Sequence, residues 1–170
     1  MINLITPTQF SEFRNISKKI DNSKVNESIS LAQKVDLYDI LNDFLFDVVE
    51  NKDDVSYADL LSGSTFTING ENYIQEGLNS LLADLTYARY MYIINTNQTP
   101  FGLQSKYTDD SQPVDRNFIK DIVKQTQQDA SVKFKMIDKY LCNNASTFSR
   151  YNKGNNSSIN TFSQNYTVIK

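Results

Sequence analysis

The 170-residue sequence contains no histidine and a single cysteine, Cys142. Without histidine there is no imidazole general base, no Ser-His or Cys-His nucleophile pair and no ordinary zinc site. A single cysteine excludes an internal disulfide, which is typical of a protein that folds in a reducing cytoplasm. Carboxylate enzymes rank last among the alternatives, because helical spacing distributes Asp36, Asp39 and Asp43 along an axis. We therefore predict no enzyme, no metal site and no cofactor.

Other absences concern membranes and nucleic acids. The longest apolar runs fall far short of the roughly 20 residues that a membrane-spanning helix needs. The first ten residues show no charged region followed by an apolar stretch, so we expect no secretion signal. The net charge is −3, and no basic cluster is long enough to indicate a nucleic-acid surface. The length suits a single domain of ordinary size.

The strongest helical pattern lies at residues 73–94. Its main apolar face recurs every three or four residues and predicts a contact with the protein's own core, through Ile74, Gly77, Leu78, Leu81, Leu82, Leu85, Ala88 and Tyr92. A second apolar face occupies only the C-terminal half and consists of Tyr87, Tyr90, Met91 and Ile94. Either the same chain or another subunit covers this second face. Aromatic residues and methionine are common interface anchors, so these four residues are candidates for a subunit interface.

Weaker patterns complete a mainly α fold: a bundle of about four helices with a small β-hairpin and an extended C-terminal tail. Thr6 and Pro7 are typical of a helix start, and residues 17–28 are polar enough to indicate a loop. Residues 29–50 form one helical pattern, and Asn69-Gly70 indicates a two-residue hairpin turn. The pattern at residues 113–141 predicts a helix roughly 40 Å long, part of which projects or lies along a neighbouring molecule. Its predicted core stripe is Ile119, Ile122, Val123, Thr126, Ala130, Phe134, Ile137 and Leu141.

An acidic stripe accompanies the second helical pattern, at Asp36, Asp39, Asp43, Asp47, Glu50 and Asp54. Like charges at spacings of three and four repel each other on a helix. Three explanations stay open: a solvated face, a surface for a basic partner, or a channel wall that repels phosphates. A calcium loop is a weaker explanation, because the glycine and ligand spacing that it needs is missing.

The composition changes at Asn143, so we divide the chain into a helical domain at residues 1–142 and an Asn/Ser-rich extension at residues 143–170. The extension carries three basic and no acidic residues, so its charge is +3 and that of the remainder is −6. Its last segment is β-prone, with Phe162, Tyr166, Val168 and Ile169. Such an end suits addition to a sheet of another chain, although a frayed terminus is the commoner outcome.

Several segments, in this order and spacing, resemble a family of small proteins from the structural gene clusters of tailed phages that infect Bacteroidota, including crAss-like phages. The resemblance covers about the first 140 residues and excludes the tail. It is carried by the opening LITPTQF, by Ile29, Ala32, Gln33, Asp36, Leu37, Ile40 and Leu41, by Tyr57, Asp59, Leu60, Leu61 and Gly63, by Gly77, Leu78, Tyr87, Ala88, Arg89 and Tyr90, and by Thr99, Pro100, Phe101, Gly102 and Lys106.

That family is similar to head–tail connector proteins, helical subunits that assemble as a ring, usually of twelve, beneath the portal. The resemblance implies a virion neck protein, assembled in the bacterial cytoplasm, whose partners are its own copies, the portal and further neck or tail proteins. DNA would be only non-specific cargo in the channel, and no membrane is implied. Phe101 and the β-prone end then join the interface candidates, and the acidic stripe faces the channel or a basic partner. The alternative is a cytoplasmic helical protein–protein interaction module.

Overall fold

A computed structural model describes residues 2–14, 16, 21–94 and 115–151, together with the backbone of two short strands at 96–99 and 102–105. The chain is mostly helical, as predicted. In order, its elements are α1 (Pro7–Phe13), α2 (Asn22–Leu31), a π-helical segment (Ala32–Leu37), α3 (Tyr38–Leu41), α4 (Phe44–Glu50), α5 (Val55–Ser62), β1 (Ser64–Ile68), β2 (Glu71–Gln75), α6 (Gly77–Ile93), β3 (Thr96–Thr99), β4 (Gly102–Ser105) and α7 (Arg116–Asn143).

The start of α1 confirms the predicted cap. The Thr6 hydroxyl accepts from the Gln9 backbone N–H, the Gln9 side chain accepts from the Thr6 backbone N–H, and Pro7 occupies the first turn. The preceding segment is fixed by the buried Gln33, whose Oε1 accepts from the Leu4 N–H at 2.7 Å and whose Nε2 donates to the Ile2 carbonyl at 2.8 Å. These bonds hold the N-terminal segment against the helical body.

Two predictions for residues 17–50 are wrong. Helix α2 begins at Asn22, inside the predicted loop, because the Asp21 carboxylate accepts from the Ser23 N–H at 3.0 Å and caps the helix. The predicted single helix at 29–50 is interrupted at Asn42, whose φ of 50° lies in the left-handed region. The chain therefore changes direction between α3 and α4.

The hairpin at Asn69-Gly70 is confirmed. Strands β1 and β2 pair antiparallel, with Ile68 opposite Glu71, and both turn residues have positive φ, as a type I′ turn requires. Strand β2 continues to Gln75, so the predicted helix start at residue 73 is wrong. Ile74, predicted to face the core, lies on the strand and is 70% exposed.

Helix α6 is the centre of the molecule, and neighbours cover it on several sides. Arg89 pairs with Asp36 of the π-helical segment, whereas Asp84 pairs with Lys133 of α7. The two α6 residues are five positions apart, which is roughly 140° around a helix of 3.6 residues per turn. The π-helical segment and α7 therefore pack on nearly opposite sides of α6, while α1 covers a third direction through Phe10.

Helix α7 confirms the predicted core stripe, whose buried members are Ile119, Val123, Thr126, Ala130, Phe134, Ile137 and Leu141. Its first half packs on α6 through Ile119, Val123 and Ala88. The domain boundary after residue 142 is too early, because Phe148 is 1% exposed and belongs to the core. Among the residues that the structure describes, no helix is long and apolar enough to cross a membrane.

Candidate interaction surfaces

The second apolar face of α6 is covered by the protein's own chain. Tyr90 is 6% exposed and meets the Phe10 ring edge-on at 6.1 Å between centroids. Placing Tyr90 at a subunit interface is therefore wrong, because α1 already buries it. The sequence pattern showed that this face needs cover and left the covering element open.

The three neighbours of Tyr90 on that face are half-buried. Tyr87 and Ile94 pack against the main core, and Met91 packs against the cluster of α6 and α7 side chains. The guanidinium of Arg14 lies 5.0 Å from the centroid of the Tyr87 ring, a cation–π arrangement. The remaining interface candidates, Phe101, Phe162, Tyr166, Val168 and Ile169, lie outside the described residues.

The predicted acidic stripe is divided into two groups by the chain's own arginines. Arg89 holds Asp36 in a bidentate pair, with Nε–Oδ2 at 2.5 Å and Nη2–Oδ1 at 2.7 Å. Asp47 is buried and accepts from Arg150 Nη1 at 3.0 Å. Assigning Asp47 to a channel or partner surface is therefore wrong, because its side chain is buried. Asp36 is half-buried and paired with Arg89, and its place on such a surface stays a prediction. Asp39, Asp43 and Glu50 are exposed.

Asp47 is also the polar end of an aromatic cluster that holds the C-terminal segment in place. Tyr57 Oη donates to Asp47 Oδ2, and the Tyr57 ring meets the Phe148 ring at 5.3 Å between centroids. Tyr151 packs on Phe44 at the same centroid separation. Burial, together with the hydrogen bond to the Asp47 carboxylate, raises the pKa of Tyr57 to about 12. Residues 144–151 are thus anchored to α4 and α5.

A second set of ion pairs lies beside a surface cavity of about 380 Å³ between α1, α6 and α7. Lys133 Nζ lies 3.0 Å from Asp84 Oδ2 and 2.8 Å from Glu76 Oε2, and Arg14 pairs with the other Asp84 oxygen. The hydrogen bond from Lys133 lowers the pKa of Glu76. Burial opposes the charge on Lys133, but its bonds to Glu76 and Asp84 prevail and raise its pKa. In this set two cations meet two anions and join three helices. The exposed Asp129 also lines the cavity.

Sequence reasoning assigned Ser80 and Asp84 to a polar surface, and both are buried. The pattern contains a signal for Asp84, because it stands inside the apolar run Leu81, Leu82, Ala83, Leu85. A carboxylate in such a run needs a buried cation. The identity of that cation, Lys133 or Arg14, depends on tertiary packing and has no local signal.

We define an acidic face as Val35, Tyr38, Asp39, Asp43, Phe46 and Glu50. These residues come from both sides of the break at Asn42. The Tyr38 and Phe46 rings join the two sides, because they meet edge-on at 5.9 Å between centroids. Tyr38 Oη donates to Asp43 Oδ1 at 3.3 Å, which holds the carboxylate beside the rings. All six residues are exposed, including Phe46 at 53%. An exposed aromatic pair with carboxylates around it is typical of a protein-binding surface.

We define a basic face as Lys120, Lys124, Val132, Lys135 and Lys139, on the outer side of α7. These residues are all exposed, and Val132 is 58% exposed. Lys139 Nζ lies 4.6 Å from the Tyr73 ring centroid, which orients it over the β1–β2 hairpin. The acidic face belongs to the π-helical segment, α3 and α4 with Asp43 between them, whereas the basic face belongs to α7, so the two faces lie on different elements of the subunit.

Comparison with known proteins identifies a family without identifying an activity. Residues 37–161 match the model of a family described as "Family of unknown function (DUF6712)". The matched region contains α3 to α7, the anchored segment at 144–151 and ten residues beyond it. Neither a curated protein nor a solved structure matches the chain.

Proposed function

The chain belongs to the DUF6712 family, and we propose that it is a structural subunit of a tailed-phage neck, forming a ring between the portal and the tail. In this role the ring surrounds the passage for DNA and offers a docking surface to further neck or tail proteins. The subunit is made in the bacterial cytoplasm and resides in the virion. The proposal includes no catalytic step.

The observation that carries the proposal is a pair of exposed faces of opposite charge on different elements of one subunit. A ring of identical subunits uses head-to-tail contacts, so each copy needs two different surfaces that fit each other. The acidic face and the basic face differ in charge, and each includes an exposed apolar side chain. A rigid helical body with two such faces suits closed assembly better than binding to a single partner.

We propose the position of the ring in the virion from the resemblance to phage connector proteins. Its segments fall on α1, the π-helical segment, α5, α6 and the β3–β4 hairpin. Several of these residues shape the body itself: Arg89 fixes Asp36, and Gln33 fixes the N-terminal segment. The resemblance therefore concerns residues that set the subunit's shape, which supports a shared mode of assembly.

Assembly with the portal tests the proposal. The purified chain is mixed with the portal protein encoded beside it, and the mass of the complex is measured by native mass spectrometry. We expect about twelve copies on each portal ring, and density for this chain in the neck of imaged particles. A single copy bound to an unrelated protein would favour the interaction-module alternative. Absence of portal binding, with particles whose neck lacks the chain, would overturn the proposal.

A further inference from the structure

We infer that the acidic face of one copy binds the basic face of the next copy, and that this contact is the repeating interface of the assembly. The inference rests on the proposed ring and names the surfaces that form it. The occupant of each face is a second copy of this chain.

Charge complementarity is the first argument. Asp39, Asp43 and Glu50 lie on the acidic face, and four lysines lie on the basic face. Opposed patches of opposite sign attract each other during encounter and fix the register of the contact. Asp36 and Asp47 take no part, because Arg89 and Arg150 already neutralise them. The charges left exposed are thus the ones available to a neighbour.

Apolar complementarity is the second argument. The Tyr38–Phe46 pair is exposed on the acidic face, as an aromatic anchor of the kind that dominates binding energy at interfaces. On the basic face, Val132 is the apolar side chain among the lysines and is 58% exposed. We expect the two rings of one copy to pack on Val132 of the next.

The two faces lie on different elements of one copy and differ in charge, so the contact between them is head-to-tail. A neighbour that binds the acidic face leaves the basic face of the same copy for a further copy, and repetition of the contact closes a ring or continues as a filament. In a two-fold dimer each copy would present both faces to the same partner, and the mass of the assembly separates this outcome from a ring.

DNA is the competing occupant of the lysines. Phosphate binding favours basic residues without nearby acids. On α7, however, Asp121 is exposed next to Lys120, and Val132 interrupts the row. The chain is also acidic overall, at −3. These features favour the acidic face of another copy over duplex DNA.

Charge reversal tests the inference in the full-length protein. One variant carries Asp39→Lys and Asp43→Lys, and the other carries Lys120→Glu and Lys124→Glu. All four residues are exposed, so both variants should keep the helical circular dichroism of the wild type. Each variant alone has two charges of one face reversed, which removes the attraction of that face for its partner face, and we expect self-association to weaken about a hundredfold. A control with Glu12→Lys and Glu27→Lys changes the net charge by the same +4 as the Asp39→Lys/Asp43→Lys variant, at exposed positions outside both faces, and should assemble normally.

Mixing the two variants is the decisive step. In an equimolar mixture the reversed faces become complementary again, so assembly should return with the two chains alternating. Sedimentation velocity, with the portal present and at high concentration without it, measures the outcome. Failure of the mixture to assemble while the wild type does would overturn the inference and leave the proposed function standing. If the mixture associates but the wild type does not bind the portal, the result would support the contact between the two faces and contradict the proposed function in the neck. If the Lys120→Glu/Lys124→Glu variant assembles normally but no longer binds a duplex DNA probe, these lysines bind DNA and not a second copy, and the inference is wrong.

Discussion

At the scale of single residues, two glycines with positive φ differ in what surrounds them. Gly70 has φ of 83° and open space where a Cβ would stand, whereas a Cβ on Gly77, at φ of 85°, would lie 2.3 Å from the Leu61 carbonyl oxygen. We predict that Gly70→Ala lowers the free energy of unfolding by about 1 kcal/mol, because of backbone strain alone. Gly77→Ala should cost more than about 3 kcal/mol, since backbone must also move. Urea denaturation of both variants measures the difference, and equal losses would contradict the close approach.

Tyr57 gives a prediction for alkaline pH. The ordinary pKa of tyrosine is 10.0, and that of Tyr57 is raised to about 12 in the folded protein. Above pH 10 the unfolded chain releases the Tyr57 proton while the folded chain keeps it, so this group's contribution to stability is complete below pH 10 and is lost towards pH 12. Tyr57→Phe removes that dependence. We expect the stability gap between wild type and variant, measured by urea denaturation, to shrink from pH 9 to 11.5. A constant gap would contradict the assignment.

At the scale of elements, the sequence correctly predicted the turns, caps and apolar stripes that neighbouring residues determine. The Asn69-Gly70 turn, the Thr6 cap and the apolar stripe of α7 each depend on residues close in sequence, and each is confirmed. These elements need no tertiary contact to be anticipated.

Elements whose limits depend on competing signals were predicted less well. Most residues of α2 are polar, and its helical signal is the four-residue spacing of Val25 and Ile29, both of which are buried. The first residues of α2 were therefore assigned to a loop. Asn42 interrupts an otherwise continuous apolar pattern by its backbone conformation, which composition does not show. The residue that covers a buried face belongs to a distant segment, as Phe10 does for Tyr90. The periodicity of the buried face therefore does not identify it.

The burial of Tyr90 changes the expected result of mutation on α6. An aspartate in place of Tyr90 puts an unpaired charge beside Phe10, so Tyr90→Asp should lower the thermal midpoint sharply and expose the core. Tyr92, two residues later, is 42% exposed, and Tyr92→Asp is the matched control that should melt close to wild type. Thermal unfolding followed by circular dichroism makes the comparison. A Tyr90→Asp protein with the wild-type midpoint would restore the interface assignment.

At the scale of the whole molecule, features formed by several elements were beyond sequence reasoning. The acidic face combines residues from both sides of the break at Asn42, which the continuous apolar pattern of the sequence did not show. The acidic residues were visible as a stripe, but only folding shows that Arg89 and Arg150 remove two of them from the surface. The same long-range contacts place Phe148 in the core, although the composition around it resembles that of an unstructured tail.

The limit of the folded unit therefore gives the last prediction. A chain ending at residue 151 keeps Phe148 and Arg150, whereas a chain ending at residue 143 loses both the aromatic contact with Tyr57 and the ion pair to Asp47. We expect the longer truncation product to unfold like the full chain, and the shorter one to lose about 3–5 kcal/mol, the usual cost of emptying a buried phenylalanine site. Urea denaturation of the two products decides this, and equal stability would exclude residues 144–151 from the core. Because the product ending at residue 151 should fold normally, its binding to the portal then isolates what the β-prone end contributes to attachment. Weaker binding than that of the full chain would assign that end a contact in the assembly.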